Sequence, residues 1–205
     1  MCTLTIRGRI TRTSTLVLLA FVTVGLASSP AIAQVQETSW LDRKPLLNWN
    51  RSPLAIPKPP KAEYDDPRRP LCKSLLRPPL TPEDRALATL GWVIFGKQET
   101  FGGTTIVSAM AGVDGMCRPM GYQVFVWIKG RFAGTIAPTP MDSRSDGSAE
   151  SEHLAASDRL TVAFKRYATS DPMCCPSRIT EVTFRIQEGS SGPVLVPMTA
   201  NTRAQ

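Results

Sequence analysis

The chain is poor in the residues that most often carry chemistry. Among 205 residues there is one histidine, His153. It stands beside Glu152 in a polar stretch, and a triad or metal pair built on it needs partners that the spacing does not supply. The patterns G-x-S-x-G, H-E-x-x-H and G-x-x-x-x-G-K-[ST] do not occur, so the local signatures of α/β-hydrolases, zinc proteases and P-loop sites are missing. Basic residues form no stripe with interleaved aromatics; they mix with acids, as in Asp158-Arg159 and Glu181 to Arg185. No nucleic-acid surface is expected. Internal repeats are absent. What remains is 42% hydrophobic, 20% charged and 7% aromatic. Such a composition fits one globular domain with tails and excludes a polyelectrolyte, a coiled coil and a multi-span membrane protein.

The first thirty-three residues read as an address. Arg7, Arg9 and Arg12 stand without an acid, an apolar run covers Leu16–Ala27, and Ala31-Ile32-Ala33 follows. A basic start, a short apolar core and an A-x-A site describe a secretory signal peptide cleaved after Ala33. The alternative, a retained anchor, requires roughly 20 apolar residues. Paired arginines of a twin-arginine signal are missing, and Cys2 precedes the apolar run, so it is not the lipidated cysteine of a lipoprotein. Removing three arginines and no acid lowers the formal net charge from +7 to +4. No stable membrane span is expected after cleavage.

Ten of the 18 prolines lie between Pro45 and Pro82. Proline lacks the N–H donor and clashes with the preceding helical turn, so residues 34–70 read as an extended, partly polyproline segment. Within it Trp40, Leu46, Leu47 and Trp49 are placed to dock on the domain or on a partner. A single domain is expected over residues 71–200, with a tail at 201–205. Thr81-Pro82-Glu83-Asp84 starts a helix, with a hydroxyl N-cap, proline at the first position and acids in the first turn. The helix is expected over 82–91. Period two then takes over at Thr104–Ala111, Tyr122–Ile128, Arg131–Pro138, Arg159–Tyr167, Ile179–Ile186 and Pro193–Met198, with Lys129-Gly130 as a hairpin turn. The expected fold is α+β, one short helix on an antiparallel sheet of about five or six strands. Residues 139–157 read as a long polar loop.

Four cysteines remain after cleavage: Cys72, Cys117, Cys174 and Cys175. An even count in an exported chain reads as disulfides. Adjacent cysteines seldom bond each other, which leaves Cys72 and Cys117 to be distributed over Cys174 and Cys175 in either order. Cys117–Cys174 is the preferred link, because each precedes a strand. Two other readings stand beside this one. A redox-active or vicinal pair usually has C-x-x-C at a helix start, whereas here Pro176 follows directly. Structural zinc prefers cysteines spaced by two to four residues. Asp142 to Gly147 has the outline of a calcium loop, but Arg144 takes the third position and His153 the twelfth, where oxygen ligands belong. No catalytic residue, cofactor or metal is assigned.

The second half resembles the LppP/LprE lipoprotein family over residues about 85–200. The resemblance is carried by Tyr122 to Thr135 with its F-x-G-T strand, by Asp158 to Tyr167, by the distinctive D-P-x-C-C-P-S at Asp171 to Ser177, and by Val182 to Arg185. It implies an exported bacterial envelope protein of undefined activity and brings no catalytic residues. Since no cysteine follows the apolar run, a periplasmic or secreted form is expected. The leading expectation is a non-enzymatic domain that binds an unknown envelope or extracellular partner. Its rivals are a small hydrolase using residues 139–157 and acids on the sheet, for which 17 acidic residues leave room, and a thiol–disulfide protein using Cys174 and Cys175.

Overall fold

The computed structural model describes residues 39–51 and 54–205. The expected leader, residues 1–33, lies outside them. Helix α1 (Pro82–Thr89) is followed by ten strands: β1 (Val93–Phe101), β2 (Thr104–Met110), β3 (Gly112–Val113), β4 (Pro119–Met120), β5 (Gln123–Ile128), β6 (Arg131–Thr135), β7 (Ala149–Ala156), β8 (Arg159–Arg166), β9 (Arg178–Gly189) and β10 (Gly192–Ala204). They form two four-stranded sheets, in the orders β1-β2-β5-β6 and β10-β9-β8-β7, and a small β3–β4 ribbon. Every pairing is antiparallel. At the sheet edges β6 runs beside β10 and β1 beside β7.

Residue alternation explains why there are two large sheets rather than the one expected. Successive side chains on a strand point to opposite faces. β2 and β5 are apolar at both parities and buried along almost their whole length. Ile106, Met110, Val124 and Val126 face a core shared with Leu160, Phe164, Val182 and Phe184 of the second sheet. Val107, Ala109, Phe125 and Trp127 face the other way, against Leu87 of α1, Trp92 and Ile94. A strand buried on both faces needs a layer on each side. The second sheet alternates buried with more open positions along β8 and β9, and its outer face meets solvent.

The start of α1 is as the sequence implies. Thr81 Oγ1 accepts the Asp84 N–H (3.2 Å), and Asp84 accepts that of Thr81 (3.1 Å). Arg77 forms a bidentate pair with the same carboxylate, at 2.5 and 2.8 Å. Burial opposes ionisation of Asp84, but the Arg77 and Thr81 hydrogen bonds prevail and hold its pKa below the usual carboxylate range.

Three expectations about the chain's organisation differ from the structure. Residues 139–157 are not all loop: Ala149–Ala156 is β7, whose polar sequence suits an edge where Leu154 is the one fully buried residue. Asn201 to Ala204 belong to β10 and pair with Glu181 to Arg178. The proline-rich approach, where described, lies against the sheets. Leu41 and Asn50 are 4% and 3% exposed, Trp92 Nε1 donates to the Pro57 carbonyl at 2.7 Å, and Asp65 bridges to Val113. The described residues, 39–51 and 54–205, belong to one compact unit.

Candidate functional site

Residues 39–51 cross the seam between β6 and β10 as a strap. Ser39 caps a 3-10 turn, Trp40–Asp42. Trp40 meets Trp49 edge-on with ring centroids 4.8 Å apart, and it meets Phe164 at 5.2 Å; Trp49 meets Phe184 at 6.2 Å. Such edge-to-face contacts contribute about 0.5–1.5 kcal/mol each beyond their buried area. Asp42 accepts from both terminal nitrogens of the buried Arg166, at 2.9 and 2.7 Å, while Arg166 Nε donates to Asp146 at 3.0 Å. The Arg166 hydrogen bond holds the Asp42 carboxyl below its ordinary range, against the opposing effect of burial.

Asn50 closes the seam. Its Nδ2 donates to the carbonyls of Thr135 on β6 (2.9 Å) and Leu195 on β10 (3.0 Å), and its Oδ1 accepts the Thr135 N–H (2.9 Å). The carboxamide lies against Gly134, whose φ of 135° and missing Cβ make the approach feasible. Trp49 Nε1 donates to Thr135 O at 3.1 Å. Asn48 and Asn50 exchange a reciprocal pair of hydrogen bonds at 3.0 Å.

This strap lines an open cleft of about 500 Å³, within the range of small-molecule sites. Its walls are Trp40, Leu47 and Trp49, its polar groups Asn48, Arg43 and Arg51, with Pro138 and Thr139 on the opposite rim. Among the described residues the lining contains no carboxylate, histidine or cysteine. Neither arginine pairs with a carboxylate among the described residues. The cleft can therefore take an anionic group beside an apolar body. Trp40, Leu47 and Trp49 were visible as docking residues in the sequence; Asn50, Arg43 and Arg51 were not singled out, since single polar residues in a proline-rich tract carry no periodic signal.

A second, smaller cavity of about 250 Å³ lies by Phe95, Ser108, Tyr122 and Glu152. Burial pushes the Glu152 carboxyl above its ordinary range; a 3.4 Å contact with Ser108 Oγ works against this, and the Glu99 charge adds to it. Glu99 itself accepts the Leu154 N–H at 3.1 Å, spanning the β1–β7 seam. His153 is exposed on β7, next to Glu152 and so on the opposite face. The Ser108–Glu152 contact thus lacks an imidazole between its members.

The cysteines depart from the expected pairing. Cys72 and Cys117 lie at disulfide distance, with Cα atoms 5.3 Å apart. Cys174 and Cys175 lie against each other as a vicinal pair. The preferred Cys117–Cys174 link assumed that strands starting near Tyr122 and Ile179 are neighbours; they are β5 and β9, in different sheets. Cys117 sits at φ 61° in the β3–β4 turn, where the Asp114 carboxylate gathers the N–H groups of Met116 and Arg118. Arg69 donates to the Asp114 carbonyl at 2.7 Å, which fixes the segment carrying Cys72 there. The calcium-like outline dissolves in the same way. Asp142 accepts from Tyr64 and Gly121, whereas Asp146 accepts from Arg166 and Tyr167. Among the described residues no cluster of three or more metal-ligating side chains is present, and no helix is long and apolar enough to cross a membrane.

Two stacked antiparallel sheets, a helix on one outer face and a buried cysteine cross-link define a small disulfide-linked β protein. Residues 89–189, just under half of the chain, match the model of the LppP/LprE lipoprotein family. That match groups it with exported, envelope-associated proteins. No curated protein and no solved structure matches it.

Proposed function

We propose that this protein is an exported binding domain that holds a small anionic ligand with an apolar body in the Trp40–Trp49 cleft. Its leader is cleaved after Ala33, and the mature chain works in the periplasm or outside the cell. The observation that carries the reading is the lining itself: two indoles and Leu47 for apolar contact, two exposed guanidinium groups, and, among the described residues, no carboxylate to repel an anion. Among the described residues the lining also holds no histidine, carboxylate or thiol to serve as a base or to activate the Ser39 and Thr139 hydroxyls, which favours binding over catalysis.

Anilinonaphthalenesulfonate, an anionic aromatic dye, is a suitable probe, with uncharged N-phenylnaphthylamine as its control. The mature protein should bind the sulfonate saturably at one site per chain. The Arg43→Ala, Arg51→Ala double variant should weaken that binding about tenfold while leaving the neutral dye's binding and the melting temperature unchanged. An absence of saturable binding, or equal affinity in the double variant, would overturn the proposal.

A further inference from the structure

We infer that Cys174 and Cys175 form a thiol–disulfide exchange site on the surface, one that accepts electrons from low-molecular-weight thiols, independently of the cleft. The two cysteine pairs have different physical roles. Cys72 is completely buried and belongs to the main core. Its link to Cys117 spans 45 positions, so it restricts the unfolded chain substantially. Cys174 and Cys175 are adjacent. A bond between neighbours closes almost no loop, so it offers the fold almost no entropic stabilisation. Both residues are exposed, as are Pro172 and Met173 before them.

The loop between β8 and β9 is shaped without help from the sulfurs. Asp171 Oδ2 accepts the Ala168 N–H (2.7 Å), the Ser177 N–H (2.9 Å) and the Ser177 hydroxyl (2.7 Å), which ties the two ends of the loop together. Within it Cys175 N donates to Pro172 O at 2.9 Å, and the Tyr167 hydroxyl donates to Met173 O at 3.2 Å. The pair is therefore held in place, open to an incoming molecule, and free to change redox state without unfastening its loop. A pair that adds nothing to folding and is presented in this way is suited to chemistry.

The exchange proceeds in two steps. A thiolate attacks one sulfur of the pair; the bond between Cys174 and Cys175 breaks, a mixed disulfide forms, and the other cysteine leaves as a thiolate that takes up a proton. A second thiol then attacks the mixed disulfide from the side of the bound molecule. The second cysteine is released and protonated, and the two incoming thiols leave joined as a disulfide. Two electrons pass to the pair, and the thiols are oxidised.

The test uses the full mature protein and reduced glutathione or dithiothreitol, with alkylation and peptide mapping as the readout. Cys174 and Cys175 should become alkylated at a reductant concentration about tenfold or more below that needed for Cys72 and Cys117, with the melting temperature unchanged. A Cys175→Ser variant treated with oxidised glutathione should trap a glutathione adduct on Cys174. Cross-links from Cys174 or Cys175 to Cys72 or Cys117, simultaneous reduction of all four cysteines, loss of the fold on reduction of the vicinal pair, or failure to form the adduct would each overturn the inference.

Discussion

Replacing Asn50 by alanine removes the side chain that joins the two sheets at the β6–β10 seam. Three hydrogen bonds of 2.9–3.0 Å disappear. The Thr135 N–H and the Thr135 and Leu195 carbonyls lose these bonds in a place where Asn50 itself is only 3% exposed. A lost internal hydrogen bond costs about 0.5–1.5 kcal/mol net, and more where the abandoned group stays dry. The expected loss is therefore about 2–5 kcal/mol. For a domain of this size each kcal/mol corresponds to about 2–4 °C, so the melting temperature should fall by roughly 5–15 °C. Asn50→Asp should be at least as harmful, because an oxygen then faces the two carbonyls that Nδ2 now serves. Urea unfolding followed by tryptophan fluorescence measures the change, with exposed Arg51→Ala as the control. Asn50→Ala within about 0.5 kcal/mol of the parent, the scatter of ordinary surface substitutions, would refute the seam argument.

Other consequences are as direct. A chain beginning at Arg69 lacks Leu41, Trp49 and Asn50 and should unfold well below the mature protein in a thermal scan; equal melting temperatures would show that residues 34–70 add nothing to the stability of the fold. Trp49→Ala should cost about 2–4 kcal/mol, somewhat less than a fully buried tryptophan, measured by urea unfolding. Cys72→Ser should cost about 4 kcal/mol by the chain-entropy model for a loop of this length, seen as a large drop in urea midpoint, whereas Cys174→Ser should leave that midpoint in place. The raised pKa of Glu152 means that the native state favours its protonated form. Its contribution to stability is complete below the ordinary glutamate range and is lost as pH rises through the raised value. Glu152→Gln should therefore match the parent in acid and melt higher than it at neutral pH, when melting temperature is followed against pH.

Much of the sheet was legible because alternation is a local signal. Leu160, Val162 and Phe164 announce β8, and Lys129-Gly130 announces the β5–β6 hairpin. The double burial of β2 and β5 was also written in the chain, at Ile106-Val107 and Val124 to Trp127, but alternation does not say whether a helix or a second sheet covers each face. β7 escaped notice because an edge strand with one fully buried residue has almost no hydrophobic pattern. β1 is interrupted at Gly96, where φ is positive and the pairing shifts register between Phe95 and Glu99. The strap was the largest omission. Residues 39–51 carry no hydrophobic period, yet Asn50 and Asp42 bind groups more than eighty residues away, and no spacing rule reaches that far. For the cysteines, compartment and parity suggested cross-linking, but the partners depend on which loops meet, and that is decided by the stacking of the two sheets.

The binding proposal is tested most directly by native mass spectrometry of the mature protein recovered from its own envelope without denaturation, beside the Arg43→Glu, Arg51→Glu double variant prepared in the same way. The expected result is one small-molecule adduct per chain on the parent, negatively charged when released, and none on the double variant. A parent chain without an adduct, or the same adduct on both proteins, would contradict it.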